Sequence, residues 1–170
     1  MKPVKYFIGV ISKNPDMMQA SIQKLPDPWR LIQTESKTFD FNFTDYYKEE
    51  MENPLYKKIF LITGIHTEEN LSKIKLLCGE IEKKTSKQRK RIVNLDPGYI
   101  NEGSVVLAST KFASHRIYIG YNIYAEITLY WYKNKYENLP WTYPDFRTQD
   151  YKQFFSECRK IFLSEKKALV

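Results

Sequence analysis

Residues 104–131, SVVLASTKFASHRIYIGYNIYAEITLYW, carry the clearest strand pattern in the chain. Residues 104–109 are a short, continuous, β-rich apolar run, which predicts a buried strand. Residues 116–119 and 123–131 alternate apolar and polar side chains, which predicts a β-hairpin. We therefore expect this half of the chain to contribute to an antiparallel or mixed sheet.

The apolar positions of the hairpin predict its register. For Ile117 and Ile119 to face the core together with the apolar residues of the second strand, residue 119 must pair with 123 and residue 117 with 125. The loop is then residues 120–122, GYN, whose glycine and asparagine tolerate a positive φ. A slip by one residue would turn the apolar side chains away from the core.

This register collects polar side chains on the other face of the hairpin. Arg116 lies opposite Glu126, and Tyr118 opposite Tyr124, so this face is either the solvent side or a ligand side. A cross-strand ion pair contributes about 0.2–1 kcal/mol, so Arg116 and Glu126 form either a structural salt bridge or the charged floor of a site. His115 has the opposite parity, so it is expected to share a site with Arg116 only if the strand start twists or bulges.

The N-terminal half alternates between strand and helix patterns. Four strands are predicted there, at residues 4–12, 30–43, 56–65 and 91–96. Asn14 and Pro15 predict the start of a short helix between the first two, and Thr67 the start of a longer amphipathic helix between the last two. The resulting β-α-β-β-α-β order is that of ferredoxin-like domains. The fourth strand is expected to stop at Asp96, before Pro97-Gly98.

The C-terminal residues predict a further helix, begun by Thr148 or Asp150 and running through Phe162. We therefore predict an α+β fold in one domain, residues 1–170, with the ferredoxin-like pattern extended by a C-terminal β-hairpin and helix. A length of 170 residues suits one domain. A hydrophobic content of 42% excludes disordered and fibrous classes.

The chain is basic, with a formal net charge of +7. Either an acidic partner such as nucleic acid or nucleotide, or a lysine-rich surface without a partner, accounts for this charge. Much of the excess lies in KKTSKQRKR, residues 83–91, which predicts either a phosphate-contacting patch or a solvated helix end.

Cysteine usage and hydropathy indicate the compartment. The two cysteines, Cys78 and Cys158, are far apart and outside any CxxC or Cys/His cluster, which argues against a zinc finger. The N-terminus is too short and strand-like for a signal peptide, and no apolar run approaches the roughly 20 residues of a membrane span. We expect a cytoplasmic protein without a membrane partner.

Three residues are predicted to be catalytic. His115 lies beside Arg116 and close to Lys111, and cations there disfavour its protonation, which suits a general base. Asp96 and Glu126 would orient the histidine or hold a cation. The competing interpretations are a hydrogen-bonded structural histidine and an aspartate that accepts turn amides.

Five residues are predicted to bind a ligand, namely Lys111, Arg116, Tyr99, Asp145 and Arg147. The cations among them would hold a phosphate, with arginine supplying a fork of donors. Asp96, Glu126 and Asp145 carry the oxygen ligands that Mg²⁺ prefers, but their spacing does not require an ion. No Walker A, GxGxxG, GxSxG or HExxH motif occurs, so nucleotide or metal chemistry would need another arrangement; no metal site is assigned and the cofactor is left open.

Several segments resemble the bacterial family called domain of unknown function 4416. They are DYYKEEM (45–51), IKLLCGEIE (74–82), RIVNLDPGYI (91–100), VVLASTKFASHRIYIGYNIYAEITLYW (105–131) and WTYPDFR (141–147). The chain departs from the family pattern at Glu52, at Cys78-Gly79 and at Phe146, where a tyrosine is usual. The resemblance groups these residues but implies no established activity; some members are labelled GTP-binding, and this chain has no guanine-nucleotide motif.

The leading functional prediction is a site for a phosphate-bearing, nucleotide-like ligand, with hydrolysis and group transfer as the candidate reactions. The alternatives are a non-catalytic RNA- or nucleic-acid-binding module, which would use the basic run and a tyrosine-rich sheet face, and a protein-interaction adaptor. No oligomeric state is predicted.

Overall fold

The computed structural model describes residues 2–168, apart from the side chain of Lys48, and contains a large antiparallel sheet with helices on both faces. Its strands are β1 (Pro3–Ser12), β2 (Ile32–Glu35), β3 (Phe39–Asp40), β4 (Tyr56–Ile62), β5 (His66–Thr67), β6 (Val93–Ile100), β7 (Ser104–Ser109), β8 (Ile117–Tyr118), β9 (Tyr124–Tyr132) and β10 (Lys135–Asn138). Its helices are α1 (Asp16–Ile22), α2 (Lys48–Met51), α3 (Leu71–Thr85) and α4 (Gln149–Lys167). Short 3₁₀ turns span Glu68–Asn70 and Asp145–Arg147. The predicted α+β class is confirmed, and of the two predicted sheet types, antiparallel or mixed, the structure has the antiparallel one.

Strand β1 lies at the centre of the sheet. The order is β10-β9-β7-β6-β1-β4-β2, with β3 beside β4, β5 beside β1 and β8 beside β9. β1 pairs antiparallel with both β6 and β4 and is covered on both faces, which explains its continuous apolar sequence.

The two faces of the sheet have separate cores. On one face, Tyr6 and Ile8 of β1 pack with Met18 of α1 and with Ile74 and Cys78 of α3. On the other face, Phe7 of β1 packs with Phe155 and Cys158 of α4. Within residues 2–168, no helix is both long and apolar enough to cross a membrane.

The predicted hairpin register is confirmed. Ile117 pairs with Ala125, Tyr118 pairs with Tyr124, and the amide of Ile119 donates to the carbonyl of Ile123. The loop residues 120–122 all have positive φ, as expected.

The prediction that all apolar hairpin residues face the core is wrong. Ile117 is 73% exposed and Ile127 is 48% exposed. The pairing of β7 with β9 shifts between Val105 and Val106, which face Leu129 and Ile127. This bulge places Leu129 in the core beneath α4, whereas Ile123 stays in the core beneath α1 and α3.

The predicted stop of the fourth strand at Asp96 is also wrong, because β6 continues through Pro97-Gly98 to Ile100. Pro97 pairs with β1, and the pairing of β6 with β7 begins only at Gly98, so the missing proline amide is tolerated. A Cβ on Gly98 would lie 2.3 Å from the carbonyl oxygen of Val106, so the glycine permits close strand approach rather than a turn.

Several boundaries differ from the predictions in detail. The extended region 30–43 is divided into β2 and β3, and the strand β10 was not predicted. β10 follows a tight turn in which Lys133 and Asn134 both have positive φ. The start of the C-terminal helix is confirmed, since the Thr148 side chain accepts a hydrogen bond from the amide of Tyr151.

Candidate functional site

A cavity of about 600 Å³ lies where β6 and β7 separate. Because their pairing begins at Gly98, the first half of β6 has no strand neighbour on that side. Two side chains of α3 form hydrogen bonds with the free backbone groups of β6. Glu82 Oε1 accepts from the amide of Leu95 at 2.7 Å, and Lys75 Nζ donates to the Leu95 carbonyl at 2.9 Å.

The cavity lining is strongly charged and aromatic. Its cations come from separate parts of the chain and are Lys57, Lys75, Arg91, Lys111 and Arg116. Its carboxylates are Glu82, Asp96, Asp145 and Glu126. Its aromatic side chains lie at residues 41–47 and 143–146, on two segments that cross the cavity.

Lys57 of β4 and Asp145 form an ion pair that is almost fully buried. Nζ and Oδ2 are 2.6 Å apart, and the side chains are 6% and 5% exposed. Burial alone would lower the pKa of Lys57, but the nearby Asp145 and Asp96 carboxylates and the Tyr151 phenol raise it. The Lys57 ammonium group also lies 4.8 Å from the centre of the Phe146 ring. The Lys57–Asp145 ion pair is therefore held in a fixed position beside the aromatic side chains of the lining.

Asp96 is held by two donors. Lys75 Nζ donates to Oδ1 at 3.0 Å, and Asn94 Nδ2 donates to Oδ2 at 2.6 Å. Burial would raise the pKa of Asp96, but the ammonium groups of Lys75 and Lys57 lower it below its usual value. Burial raises the pKa of the neighbouring Glu82. Asp96 is therefore the more firmly ionised of the two carboxylates.

Arg116 uses most of its donors to hold the cavity mouth together. Nε donates to Glu126 Oε2 at 2.7 Å, Nη1 donates to Ser109 Oγ and to the Lys111 carbonyl, and Nη2 donates to the Tyr143 hydroxyl at 2.6 Å. The predicted pairing of Arg116 with Glu126 is thus present, but Glu126 is only 3% exposed. The pair is part of the cavity wall rather than a surface salt bridge.

His115 shares the Glu126 carboxylate with Arg116. Its Nε2 lies 2.9 Å from Glu126 Oε2, and its ring stacks on Trp141 at 4.8 Å with an interplanar angle of 10°. The sequence allowed His115 and Arg116 to share a site only if the strand start is irregular, and this condition is met because β8 begins only at Ile117 and strand parity does not apply before it. His115 is not among the residues that line the cavity.

Lys111 lies at the cavity mouth. Its Nζ is 3.6 Å from the centre of the Tyr46 ring, and the interaction with this ammonium group lowers the pKa of the Tyr46 hydroxyl. Ser109 Oγ accepts from the Lys111 amide at 3.1 Å, which positions the backbone. Among the described residues, no carboxylate forms an ion pair with Lys111.

Two of the predicted site residues lie away from the cavity. Tyr99 does not line the cavity; it packs against the core beneath α1 and α3, where its ring contacts that of Tyr6 at 5.9 Å. Arg147 donates to the carbonyls of Thr142 at 2.7 Å and Pro140 at 3.0 Å, so it braces the preceding loop. The structure brings the other predicted residues together, since Asp96, Lys111, Arg116, Glu126 and Asp145 line the cavity and His115 is one contact away.

Sequence reasoning missed three cations of the cavity. Lys57 has the strand parity of the buried Ile59 and Leu61, and Lys75 lies on the buried stripe of α3 beside Ile74. In both cases a charged residue occupies a position where the pattern predicts a buried apolar side chain, and this could have identified it as part of a site. Arg91 gave no such signal, because it reads as the last member of a solvated basic run.

The described residues contain no group of three or more His, Cys, Asp or Glu side chains placed to hold a metal ion. Asp96, Glu126 and Asp145 each have a cation as partner instead. The three carboxylates therefore act here as counter-charges for lysine and arginine.

Comparison with known proteins gave one match. Neither the curated proteins nor the solved structures contain a significant match to the chain. A model of the family described as Domain of unknown function (DUF4416) matches residues 2–162. Since the match covers most of the 170 residues, the chain belongs to this family.

Proposed function

We propose that the cavity binds a phosphate-bearing, nucleotide-like ligand. The observation that carries the proposal is Lys111, which lies at the mouth with its ammonium group over the Tyr46 ring and without a carboxylate partner among the described residues. The other lining cations are neutralised by carboxylates. Lys111 is therefore the lining cation whose charge is available to an anion that enters the cavity.

Arg116, which donates to the Lys111 carbonyl and also lines the cavity, supplies a second donor. A guanidinium group has five N–H donors. The contacts of Arg116 with Glu126, Ser109, Lys111 and Tyr143 use four of them and leave one on Nη2. A phosphate oxygen between Lys111 and Arg116 would accept charge-assisted hydrogen bonds from both, the stronger class of hydrogen bond in proteins.

The aromatic part of the lining suits a planar ring. Phe43, Tyr46 and Tyr47 come from one segment of the lining, and Lys111 lies over the Tyr46 ring. Small-molecule sites are typically about 300–1,000 Å³ and combine apolar walls with a few polar groups, and a cavity of about 600 Å³ falls within this range. A nucleotide supplies both the ring and the phosphate that this lining accommodates.

The proposal concerns binding, and the acid/base roles of His115, Asp96 and Glu126 stay predictions. Both carboxylate oxygens of Asp96 already accept hydrogen bonds, and His115 is tied to Glu126. A hydrolase or transferase would therefore need one of these contacts to open when the substrate binds.

We also propose that the N-terminal part is ferredoxin-like. The strand order β6-β1-β4-β2, antiparallel throughout, supports this, as does the packing of α1 and α3 on one face of the sheet. The free, buried thiols of Cys78 and Cys158 support the proposed cytoplasmic setting.

A binding titration tests the ligand proposal. Purified protein is titrated calorimetrically at low salt with nucleoside mono-, di- and triphosphates, with the parent nucleosides and with inorganic phosphate. We expect nucleotides to bind at least tenfold more tightly than nucleosides, and Lys111→Ala to remove most of that difference.

The matched control is Lys133→Ala, because Lys133 also lies over a tyrosine ring, at 5.2 Å from the centre of Tyr132, but does not line the cavity. This variant should bind nucleotides as the wild type does. Equal affinity for nucleotides and nucleosides, or an equal loss in both variants, would overturn the proposal.

A further inference from the structure

We propose that the ligand is the phosphorylated end of a single-stranded nucleic acid, with its terminal nucleotide in the cavity and the next bases stacked on an aromatic platform outside it. The platform consists of the rings of Phe112, Tyr118 and Tyr124. The inference rests on the proposed function, because it assigns the same cavity to the terminal nucleotide.

The three rings form a contiguous, solvent-facing group. Tyr124 is in the middle, with its ring centre 5.9 Å from that of Phe112 and 5.7 Å from that of Tyr118, both in edge-on geometry. Phe112 is 75% exposed and Tyr118 is 58% exposed. A contiguous group of exposed aromatic side chains is a candidate interaction site.

The platform adjoins the cavity mouth. Phe112 follows Lys111 in the chain, and Tyr124 pairs with Ser109 in the sheet. Lys111 and Ser109 both line the cavity. Tyr124 also has the same strand parity on β9 as Glu126, which lines the cavity. A strand that leaves the cavity at Lys111 therefore meets the three rings next.

The charge around the platform favours a polyanion. Residues 103–125 contain Lys111, His115 and Arg116 but no aspartate or glutamate. Single-stranded nucleic acids are bound by this combination of exposed aromatic rings, which stack on bases, and cations, which contact the backbone phosphates. A free mononucleotide would leave the platform unused.

The test compares ligands of increasing length. Binding of 5′-phosphorylated RNA and DNA strands of one, two, four and six nucleotides is measured by fluorescence anisotropy competition, alongside 3′-phosphorylated and unphosphorylated strands. Each stacked base should raise affinity about tenfold until the three rings are occupied. Removal of the terminal phosphate should weaken every length by a similar factor.

Variants of the platform separate the two proposals. Phe112→Ala combined with Tyr118→Ala should reduce tetranucleotide affinity towards that of the mononucleotide, and mononucleotide binding should not change. Phe112→Tyr should retain the length effect because it retains a ring. The control is Tyr132→Ala, since Tyr132 is 51% exposed but lies eight residues, about 26 Å, along β9 from Tyr124.

Three outcomes would contradict the inference, and the measurements distinguish them. If mononucleotides bind and longer strands bind no better, the platform inference fails while the proposed function stands. If neither binds, both fail. If the platform variants change only self-association, measured by analytical ultracentrifugation, then the three rings form a contact between copies of the chain and the inference is overturned.

Discussion

Lys57 and Asp145 join β4 to the 3₁₀ turn before α4 through an ion pair with almost no contact with solvent. The Nζ–Oδ2 distance is 2.6 Å, and neither side chain is more than 6% exposed. Loss of one partner leaves the other as a buried, unpaired charge, which is strongly destabilising. The Lys57–Asp145 pair therefore contributes both to the charge of the cavity lining and to the stability of the fold.

Lys57 and Asp145 should not contribute to stability independently of each other. We expect Lys57→Met and Asp145→Asn each to lower the free energy of unfolding by about 3–5 kcal/mol, and the double variant to lose less than the sum. Urea denaturation followed by circular dichroism measures all three.

The control for this prediction is the exposed pair Lys37–Asp150, whose Nζ–Oδ2 distance is 2.7 Å with side chains 64% and 55% exposed. Asp150→Asn should change stability by no more than about 1 kcal/mol. Additive losses for Lys57→Met and Asp145→Asn would show that the buried pair is not coupled.

Asp96 should make stability depend on acid pH. Its pKa is lowered in the folded protein by Lys75 and Lys57 against the effect of burial, whereas the unfolded chain has a value of about 3.9. The unfolded state therefore binds the proton more readily. The stabilisation is fully present above the unfolded pKa and is lost as pH falls through the folded pKa.

The measurement compares wild type with Asp96→Asn in urea titrations between pH 6 and pH 3. The difference in unfolding free energy should be constant down to about pH 4.5 and should shrink below about pH 4. A difference that does not vary with pH would mean that the Asp96 charge does not stabilise the fold.

Gly98 should tolerate no side chain. A Cβ there would lie 2.3 Å from the Val106 carbonyl oxygen and 2.5 Å from Phe7 Cζ, so β6 and β7 would have to separate. We expect Gly98→Ala to destabilise the protein by about 3 kcal/mol or more, measured by the urea midpoint. The control is Gly79→Ala, because a Cβ on this helical glycine meets nothing within 4 Å. It should raise stability by up to about 1 kcal/mol, and equal losses in both variants would contradict the argument.

Local pattern was enough to predict the hairpin but not the cavity. The alternation from Ile117 to Ala125 admits one register, and that register places Arg116 opposite Glu126. Which side chains of β9 are buried depends instead on the bulge opposite Val105, a property of the pairing with β7. The periodicity of one strand does not indicate the register in which a neighbouring strand pairs with it.

The position of the cavity likewise depends on long-range pairing. Pro97-Gly98 reads locally as a turn, and only the pairing with β1 and β7 shows that this glycine lies within a strand. The cavity exists because β6 and β7 pair only from Gly98 onward. Lys57 is distant in sequence from Asp145, and nothing local to either residue indicates the other.

An ion pair between Arg91 and Glu50 ties α2, and with it the aromatic segment 41–47, to the body of the protein. Arg91 Nε and Nη2 donate to the two Glu50 oxygens at 2.8 and 2.7 Å, and the Arg91 amide donates to Oε1 at 3.1 Å. The side chains are 25% and 31% exposed. Glu50 lies in α2, directly after residues 41–47, so we expect this contact to help hold these residues against the cavity.

Glu50→Ala should therefore loosen this aromatic segment without unfolding the protein. Hydrogen bonds to charged groups contribute about 1.5–3 kcal/mol, so amide hydrogen exchange in residues 41–51 should accelerate by about ten- to a hundredfold while exchange in β1 stays slow. Nucleotide affinity should fall several-fold, because the ring loses part of its stacking surface. Glu49→Ala in the same helical turn is the matched control, since only the backbone carbonyl of Glu49 contacts Lys90. If exchange in residues 41–51 is the same in Glu50→Ala as in wild type, the segment is held by its apolar contacts around Phe41 and Met51 rather than by the ion pair.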